Sequence, residues 1–147
     1  MSLRPDRDVA FLNQIGQDYL PGYLGVVVTD LEQGVLRAEL PVRQALFAPN
    51  GFLHAGSVVT LADTAAGYGC FSHLPAEALG FTTLELKANF LRTTREGVLR
   101  CEARSLHLGR TTHVWDATVH CGDDAAPIAV FRCTQLVLYE RPRAVGS

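Results

Sequence analysis

Alternating apolar and polar residues predict extended strands along much of the chain. In residues 35–41, Leu36 and Leu40 point to one face while Arg37 and Glu39 point to the other, which is the period of a half-buried strand. Other stretches show the same period of two or are short and apolar between turn residues. The segments expected to be strands are 24–29, 35–41, 83–91, 98–107, 111–121 and 128–139.

Two of these segments carry further information about their faces. In residues 83–91, strict alternation puts Leu84, Leu86 and Phe90 on one face and Thr83 on the other. Residues 128–139 are partly apolar on both faces. Such a strand is expected to be central in the sheet or to lie at an interface.

Two segments follow the helical period instead. Residues 8–20 predict a short amphipathic helix, which Pro21 and Gly22 are expected to end. Residues 57–70 predict a longer helix that is apolar on nearly every side, as a buried helix is. Gly56 and Ser57 are the candidates for its N-terminal cap.

The order of these elements predicts an α+β fold. Short connections make consecutive strands antiparallel neighbours. The long apolar helix has no helical partner of its own length, so it is expected to lie on the sheet, which curls around it. One helix leaves a sheet edge and an outer face uncovered, and this favours a dimer. We expect one domain over residues 1–147, with its core at about 24–139.

Composition excludes several classes of function. The net charge is −2, which argues against a nucleic-acid surface, and no stretch reaches membrane-spanning length. Residues 1–7 are charged and precede no long apolar run, so no signal peptide is expected and the cytoplasm is the expected location. Neither the four cysteines nor the five histidines have the spacing of a metal site, so we expect reduced thiols and no metal.

An aspartate, Asp63, lies in the middle of the apolar helix. An unpaired buried carboxylate is expensive, so the residue either belongs to a solvated stripe with Thr60 and Thr64 or serves catalysis. Asn50 before a glycine is by itself an ordinary turn residue. His54 is by itself an ordinary polar residue near the start of a helix.

Taken together, these residues form a recognisable motif. The pattern N-G-x-x-H-A-G-x-x-x-x-L-A-D-x-A, from Asn50 to Ala65, resembles the signature of hotdog-fold acyl-CoA thioesterases. It is most similar to the phenylacetic-acid-degradation (PaaI) type within the 4-hydroxybenzoyl-CoA thioesterase superfamily. The segment T-L-E-L-K-A-N-F-L-R, 83–92, looks like the strand that follows the helix in this family. The resemblance spans about 24–139 and implies a hotdog fold, a long antiparallel sheet wrapped around one central helix.

The resemblance also implies the chemistry. By position, Asp63 corresponds to the acidic residue that attacks the thioester or activates water for that attack. The backbone N–H of Ala55, with Gly56 next to it, corresponds to the helix N-terminus that polarises the thioester carbonyl. Whether Asp63 attacks directly or through water is not readable from sequence.

Further roles follow from the same resemblance. Asn50 and His54 correspond to the motif residues that orient the reacting groups. A hydroxyl residue on the next strand often holds the water, and Thr83 matches that position best, with Thr82 second. The sequence departs from the family pattern in two places: alanine stands at Ala55 where glycine is usual, and the spacing from Asn50 to His54 is shorter than in some relatives.

The spacing of the two reacting groups has a geometric consequence. Ala55 and Asp63 are eight residues apart, so on one helix they are separated by roughly 12 Å along the axis. An aspartate side chain cannot span that distance, so both groups can act on one thioester only if they come from different chains. The small residues in 62–67 suit two helices packed antiparallel about a two-fold axis. A homodimer is therefore the minimum. A homotetramer is the expected assembly, although the sequence does not decide between dimer and tetramer.

The expected activity is hydrolysis of an acyl-CoA to the free acid and coenzyme A. No cofactor is expected, because coenzyme A is part of the substrate. Arg92 and Arg110 are candidates for its phosphates, although either could equally be a solvent-facing charge. Two alternatives stay open: a non-catalytic acyl-CoA-binding hotdog module, and a hotdog dehydratase or hydratase that uses His54 and Asp63. The sequence does not specify the acyl group.

Overall fold

The computed structural model describes residues 1–140, so the last seven residues of the predicted domain 1–147 lie outside the described part. Six strands form one antiparallel sheet in the order β1-β2-β4-β5-β6-β3. The elements are α1 Val9–Gly16, α2 Leu20–Leu24, β1 Val27–Glu32, β2 Val35–Pro41, a 3-10 turn Gln44–Leu46, α3 Ala55–Ser72, β3 Gly80–Phe90, β4 Val98–Leu108, β5 Thr112–Cys121 and β6 Ala129–Leu138. The predicted α+β hotdog architecture is confirmed.

The central helix α3 packs directly on one face of the sheet. Its buried side is made of small and aliphatic residues, including Leu61, Ala65 and Ala66, each fully inaccessible to solvent. A Cβ at Gly69 would lie only 2.7 Å from the ring of the buried Trp115 on β5. Glycine at this position therefore allows the helix to approach the sheet closely enough to close the core.

The N-terminal region differs from the sequence prediction. The first helix ends at Gly16, and Pro21 and Gly22 lie inside a second short helix rather than ending the first. This is possible because proline lacks only an N–H that has no partner in the first turn of a helix. The second helix ends at Gly25, whose φ of 89° is left-handed, and β1 begins only afterwards. The predicted strand at 24–29 therefore starts later than expected.

The edge strand β3 contains a β-bulge that changes which side chains share a face. Thr83 pairs with Gln135 of β6, whereas Glu85 pairs with Thr134, so Leu84 is the extra residue. Thr83 therefore lies on the same face as Leu86, towards the helix. The prediction from strict alternation, which put these two residues on opposite faces, is wrong for this reason.

Two expected absences can be compared with the described residues. None of the helices within residues 1–140 is long and apolar enough to cross a membrane. Over the same residues, no group of three or more histidine, cysteine or acidic side chains is placed to hold a metal ion. The four cysteines are free thiols, and all except Cys121 are buried.

Candidate active site

The N-terminus of α3 is capped by a side chain that the sequence analysis had not assigned to this role. His54 is the N-cap, and its Nδ1 accepts a hydrogen bond of 2.8 Å from the Gly56 N–H. Since Nδ1 is the acceptor, a neutral imidazole carries its proton on Nε2. Ser57 instead donates its hydroxyl to the Leu46 carbonyl, at 2.9 Å. The predicted cap at Gly56 and Ser57 is therefore wrong.

This cap decides which backbone donors remain available. The Gly56 N–H is occupied by His54. The Ala55 N–H makes no hydrogen bond to any acceptor in residues 1–140. Because Ala55 is the first residue of an 18-residue helix, its N–H lies at the positive end of the helix dipole. Of the two adjacent donors in the motif, Ala55 is the one free to stabilise negative charge on a carbonyl oxygen.

Asn50 serves the loop that precedes α3. Its Oδ1 accepts from the Phe52 N–H at 3.2 Å, and Gly51 between them has a φ of 80°. The loop closes through a backbone hydrogen bond of 2.8 Å from Ala48 to Phe52. In one subunit, the Asn50 side chain therefore has the ordinary turn role that its sequence context suggests.

Asp63 is half-buried on α3, and its two carboxylate oxygens differ. Oδ1 is inaccessible to solvent and has no hydrogen-bond partner within the described residues. Burial raises the pKa of this carboxyl above its ordinary value. The neighbouring Thr60 does not donate a hydrogen bond to Asp63, since its hydroxyl donates to the Gly56 carbonyl at 2.8 Å. A solvated stripe accounts for the half-buried Thr60 and Thr64, but not for the buried Oδ1.

Thr83 lies next to a buried polar residue that sequence reasoning missed. Its partner across the strands is Gln135 of β6, which is fully buried with no hydrogen bond from either side-chain polar atom within the described chain. On the other side of Gln135, β5 places His113, equally buried, with its pKa lowered to about 4 mainly by burial. Gln135 interrupts an otherwise apolar inward face of β6, and that interruption was the available signal.

The two candidate arginines lie at opposite ends of β6. The Arg92 N–H bonds to the Ile128 carbonyl, just before β6 begins, whereas the Arg110 carbonyl accepts from the Tyr139 hydroxyl, just after it ends. This separates them by roughly 30 Å along the strand. Arg92 is exposed and paired with Asp124 at 3.3 Å.

The Arg92 end of the sheet is linked to the start of α3. Arg95, in the same loop as Arg92, lies over the ring of Phe52, 5.4 Å from its centroid. Phe52 belongs to the loop that leads to His54 and Ala55. Arg95 was not among the predicted contacts. The opposite end carries Arg110, 3.9 Å from Glu77 in the segment after α3.

The unbroken helix keeps the two candidate groups of one chain apart. With α3 continuous from Ala55 to Ser72, Asp63 lies roughly 12 Å along the axis from the Ala55 N–H. The fold thus provides a carboxylate that can act as a base or nucleophile and a free N–H at a helix N-terminus. A carboxylate and a backbone donor of this kind are groups that hydrolases of the ester and thioester class use.

Comparison with known proteins identifies the family. The chain belongs to the thioesterase superfamily, whose family model matches residues 50–128, a range that includes both the helix motif and β3. The resemblance stated from the sequence is confirmed, and the protein is a thioester hydrolase.

Individual relatives agree with this assignment. The chain is 34% identical over 139 residues to PA1618 of Pseudomonas aeruginosa, covering 94% of this chain and 95% of that protein. A crystal structure of a mutant of thioesterase PA1618 superposes with a TM-score of 0.86, covering 94% and 99% of the two chains. The proofreading thioesterase EntH of Klebsiella pneumoniae is 32% identical over 120 residues, 82% of this chain and 87% of EntH. The thioesterase HI1161 of Haemophilus influenzae superposes with a TM-score of 0.88 at 25% identity, covering 98% and 99%.

Proposed function

We propose that the protein hydrolyses acyl-CoA thioesters at two equal sites, each built from Asp63 of one subunit and the Ala55 N–H of the other. The observation that carries this proposal is that one helix holds two polar groups without hydrogen-bond partners. Asp63 has a buried oxygen without a partner, and Ala55 has a free N–H, both within the described residues. The helix separates them by roughly 12 Å, so a two-fold copy is needed to bring them to one carbonyl.

The proposed reaction uses water as the nucleophile. Asp63 takes a proton from the water as the water oxygen forms a bond to the thioester carbon. The negative charge that develops on the carbonyl oxygen is stabilised by the Ala55 N–H and the helix dipole. The carbon–sulfur bond then breaks, the thiolate of coenzyme A takes the proton from Asp63, and the free acid is released. No metal or cofactor takes part in this proposal.

An uncovered sheet edge supports the dimer. β3 is the last strand of the sheet, so within residues 1–140 one side of its backbone has no neighbouring strand. Its apolar residues Leu84, Leu86 and Phe90 are 42% to 56% exposed, and the latter two point to the helix side. Exposed apolar edge strands are usually covered by a partner. We therefore place the two-fold axis beside β3, and pairing of two such dimers would give the predicted tetramer.

The position of Arg92 supports a role in holding the phosphates of coenzyme A. It lies with Arg95 at the end of the sheet that is joined to the loop before α3. We expect Arg92→Gln to raise KM for an acyl-CoA about tenfold, because a charge-assisted contact to phosphate is lost. KM for the matching acyl-pantetheine, which lacks the nucleotide phosphates, should not change. Arg110→Gln is the matched control at the opposite end, and an equal rise in that variant would contradict the assignment.

A thiol-release assay across short, medium, long and aromatic acyl-CoAs tests the function. We expect stoichiometric release of free thiol and free acid from at least one member of the panel. Tight acyl-CoA binding with no release would favour the non-catalytic binding module. Hydration of an enoyl-CoA with the thioester intact would favour the hydratase alternative.

A further inference from the structure

A row of polar side chains crosses three strands beneath α3. Thr83 of β3, Gln135 of β6 and His113 of β5 are register partners, so their side chains share one face. Gln135 and His113 are both fully buried, and neither polar atom of the Gln135 side chain has a hydrogen-bond partner in residues 1–140. Buried polar atoms are nearly always paired in folded proteins, so the unused amide in this row suggests a function.

The amide of Gln135 is oriented between the helix and the neighbouring strand. Its Nε2 faces α3 and would lie 3.7 Å from a Cβ placed on Gly67. Asp63 lies one helical turn before Gly67, and after burial its charge is the next cause that raises the pKa of Cys133, two residues before Gln135 on the same face of β6. Neighbours at these spacings are about 6–7 Å apart on a helix or a strand, within the combined reach of an aspartate and a glutamine side chain.

The unsatisfied atoms are complementary. Gln135 Nε2 is a donor without an acceptor, and Asp63 Oδ1 is a buried acceptor without a donor, within the described chain. The other end of the amide, Oε1, is an acceptor, and the hydroxyl of Thr83 across the strands is a donor. A single carboxamide can therefore connect the carboxylate on α3 with the hydroxyl on β3.

We propose that Gln135 is a positioning residue for thioester hydrolysis, whose Nε2–H donates to Asp63 Oδ1 while its Oε1 accepts the hydroxyl proton of Thr83. This inference rests on the proposed function and adds a residue to it. The first hydrogen bond fixes the carboxylate, so that its second oxygen faces the substrate. The second hydrogen bond uses the only proton of the Thr83 hydroxyl, so this hydroxyl can no longer donate to another group.

The hydrogen bond from Thr83 to Gln135 determines how the reacting water is held. When Thr83 donates to Gln135, its oxygen can only accept from the water, and Asp63 accepts from the other O–H of the same water. The water then presents a lone pair to the thioester carbon. Without Gln135, the Thr83 hydroxyl can rotate and donate to that lone pair, which makes the water a poorer nucleophile.

The variant Gln135→Met tests this proposal because it keeps side-chain length and removes only the amide. We expect kcat to fall about 10–100-fold, while KM stays within about twofold of wild type. The melting temperature is expected to fall, because the Asp63 carboxylate and the Thr83 hydroxyl each lose a hydrogen-bond partner, so kcat is compared at a temperature where both proteins are folded. Thr134→Val, the adjacent position on the opposite face of β6, is the matched control and should keep wild-type kcat.

A second variant and a double mutant test whether Gln135 and Thr83 act together. Thr83→Val on the edge strand should also lower kcat, and the two changes together should cost less than the product of the two single losses, because both disturb the same Gln135–Thr83 contact. Wild-type kcat in Gln135→Met or in Thr83→Val would overturn the proposal, as would fully additive losses. Such results would leave the proposed function intact, provided that wild type releases thiol and Asp63→Asn does not. Activity that persists in Asp63→Asn would instead refute the proposed function itself.

Discussion

Asp63→Asn is expected to lower kcat for acyl-CoA hydrolysis by about 10²–10⁴-fold, because the amide cannot accept the proton of the attacking water. The substitution keeps the size and shape of the side chain, so substrate binding should persist. Initial-rate thiol release, with substrate binding measured separately by calorimetry, checks both expectations. Asp116→Asn is the matched control, since Asp116 is ion-paired with Arg132 away from the helix. Full activity in Asp63→Asn would exclude this mechanism.

The same substitution should make the protein more stable near neutral pH. Burial raises the pKa of Asp63 above its ordinary value of 3.8, so ionisation of this group costs more in the folded state than in the unfolded state. As the pH rises above that ordinary value and Asp63 ionises, the folded state therefore loses stability relative to the unfolded state. The asparagine variant has no ionisable group at this position and keeps that stability. Thermal melts should show a higher melting temperature for Asp63→Asn at pH 7 and no difference below about pH 4. If the Asp63 carboxylate were instead present for stability, Asp63→Asn would lower the melting temperature at pH 7.

Ala55→Pro is expected to lower kcat by about 10²–10³-fold, because proline removes the N–H that stabilises the carbonyl oxygen. Proline is compatible with the backbone conformation at this position. Ala55 is the first residue of α3, where proline is well tolerated, and His54 before it has a ψ of 133°, which suits a residue preceding proline. Circular dichroism and the melting temperature should stay near wild type. The matched control is Ala55→Ser, which keeps the N–H and should keep kcat.

Mixing the two inactive chains tests whether each site is shared between subunits. A heterodimer of Asp63→Asn and Ala55→Pro has one site with both defects and one site with neither. After co-refolding in equal amounts, about one quarter of wild-type activity should return. If each site lay within one chain, every site in the mixture would keep one defect and no activity would return. Size-exclusion chromatography with light scattering, run on the same mixture, establishes that dimers have formed.

The elements of the fold followed closely from local pattern. The period of two located the long strands, and the apolar segment 57–70 predicted the helix that became α3 at Ala55–Ser72. Boundaries were less accurate where proline chemistry intervened, as at Pro21 in α2. The family could be recognised because its motif is local: the residues from Asn50 to Ala65 are fixed in spacing by one loop and one helix.

The contacts of the site could not be read in the same way. A single extra residue at Leu84 moved Thr83 to the helix face, and only the pairing with β6 reveals that bulge. His54 became the helix cap because its imidazole turns back onto the Gly56 N–H. Both outcomes depend on the conformation of a few residues and on strand register, neither of which a pattern of apolar residues determines.

The sequence by itself determined the element order, the thioesterase motif and the helical separation of Ala55 from Asp63, because these depend on neighbours along the chain and on the fixed rise of a helix. The tertiary structure alone decided that the Ala55 N–H is the free donor, that Asp63 Oδ1 lacks a partner in residues 1–140, and that Gln135 lies across from Thr83. Burial and cross-strand register bring together residues far apart in sequence, so they exist only once the sheet has closed around the helix.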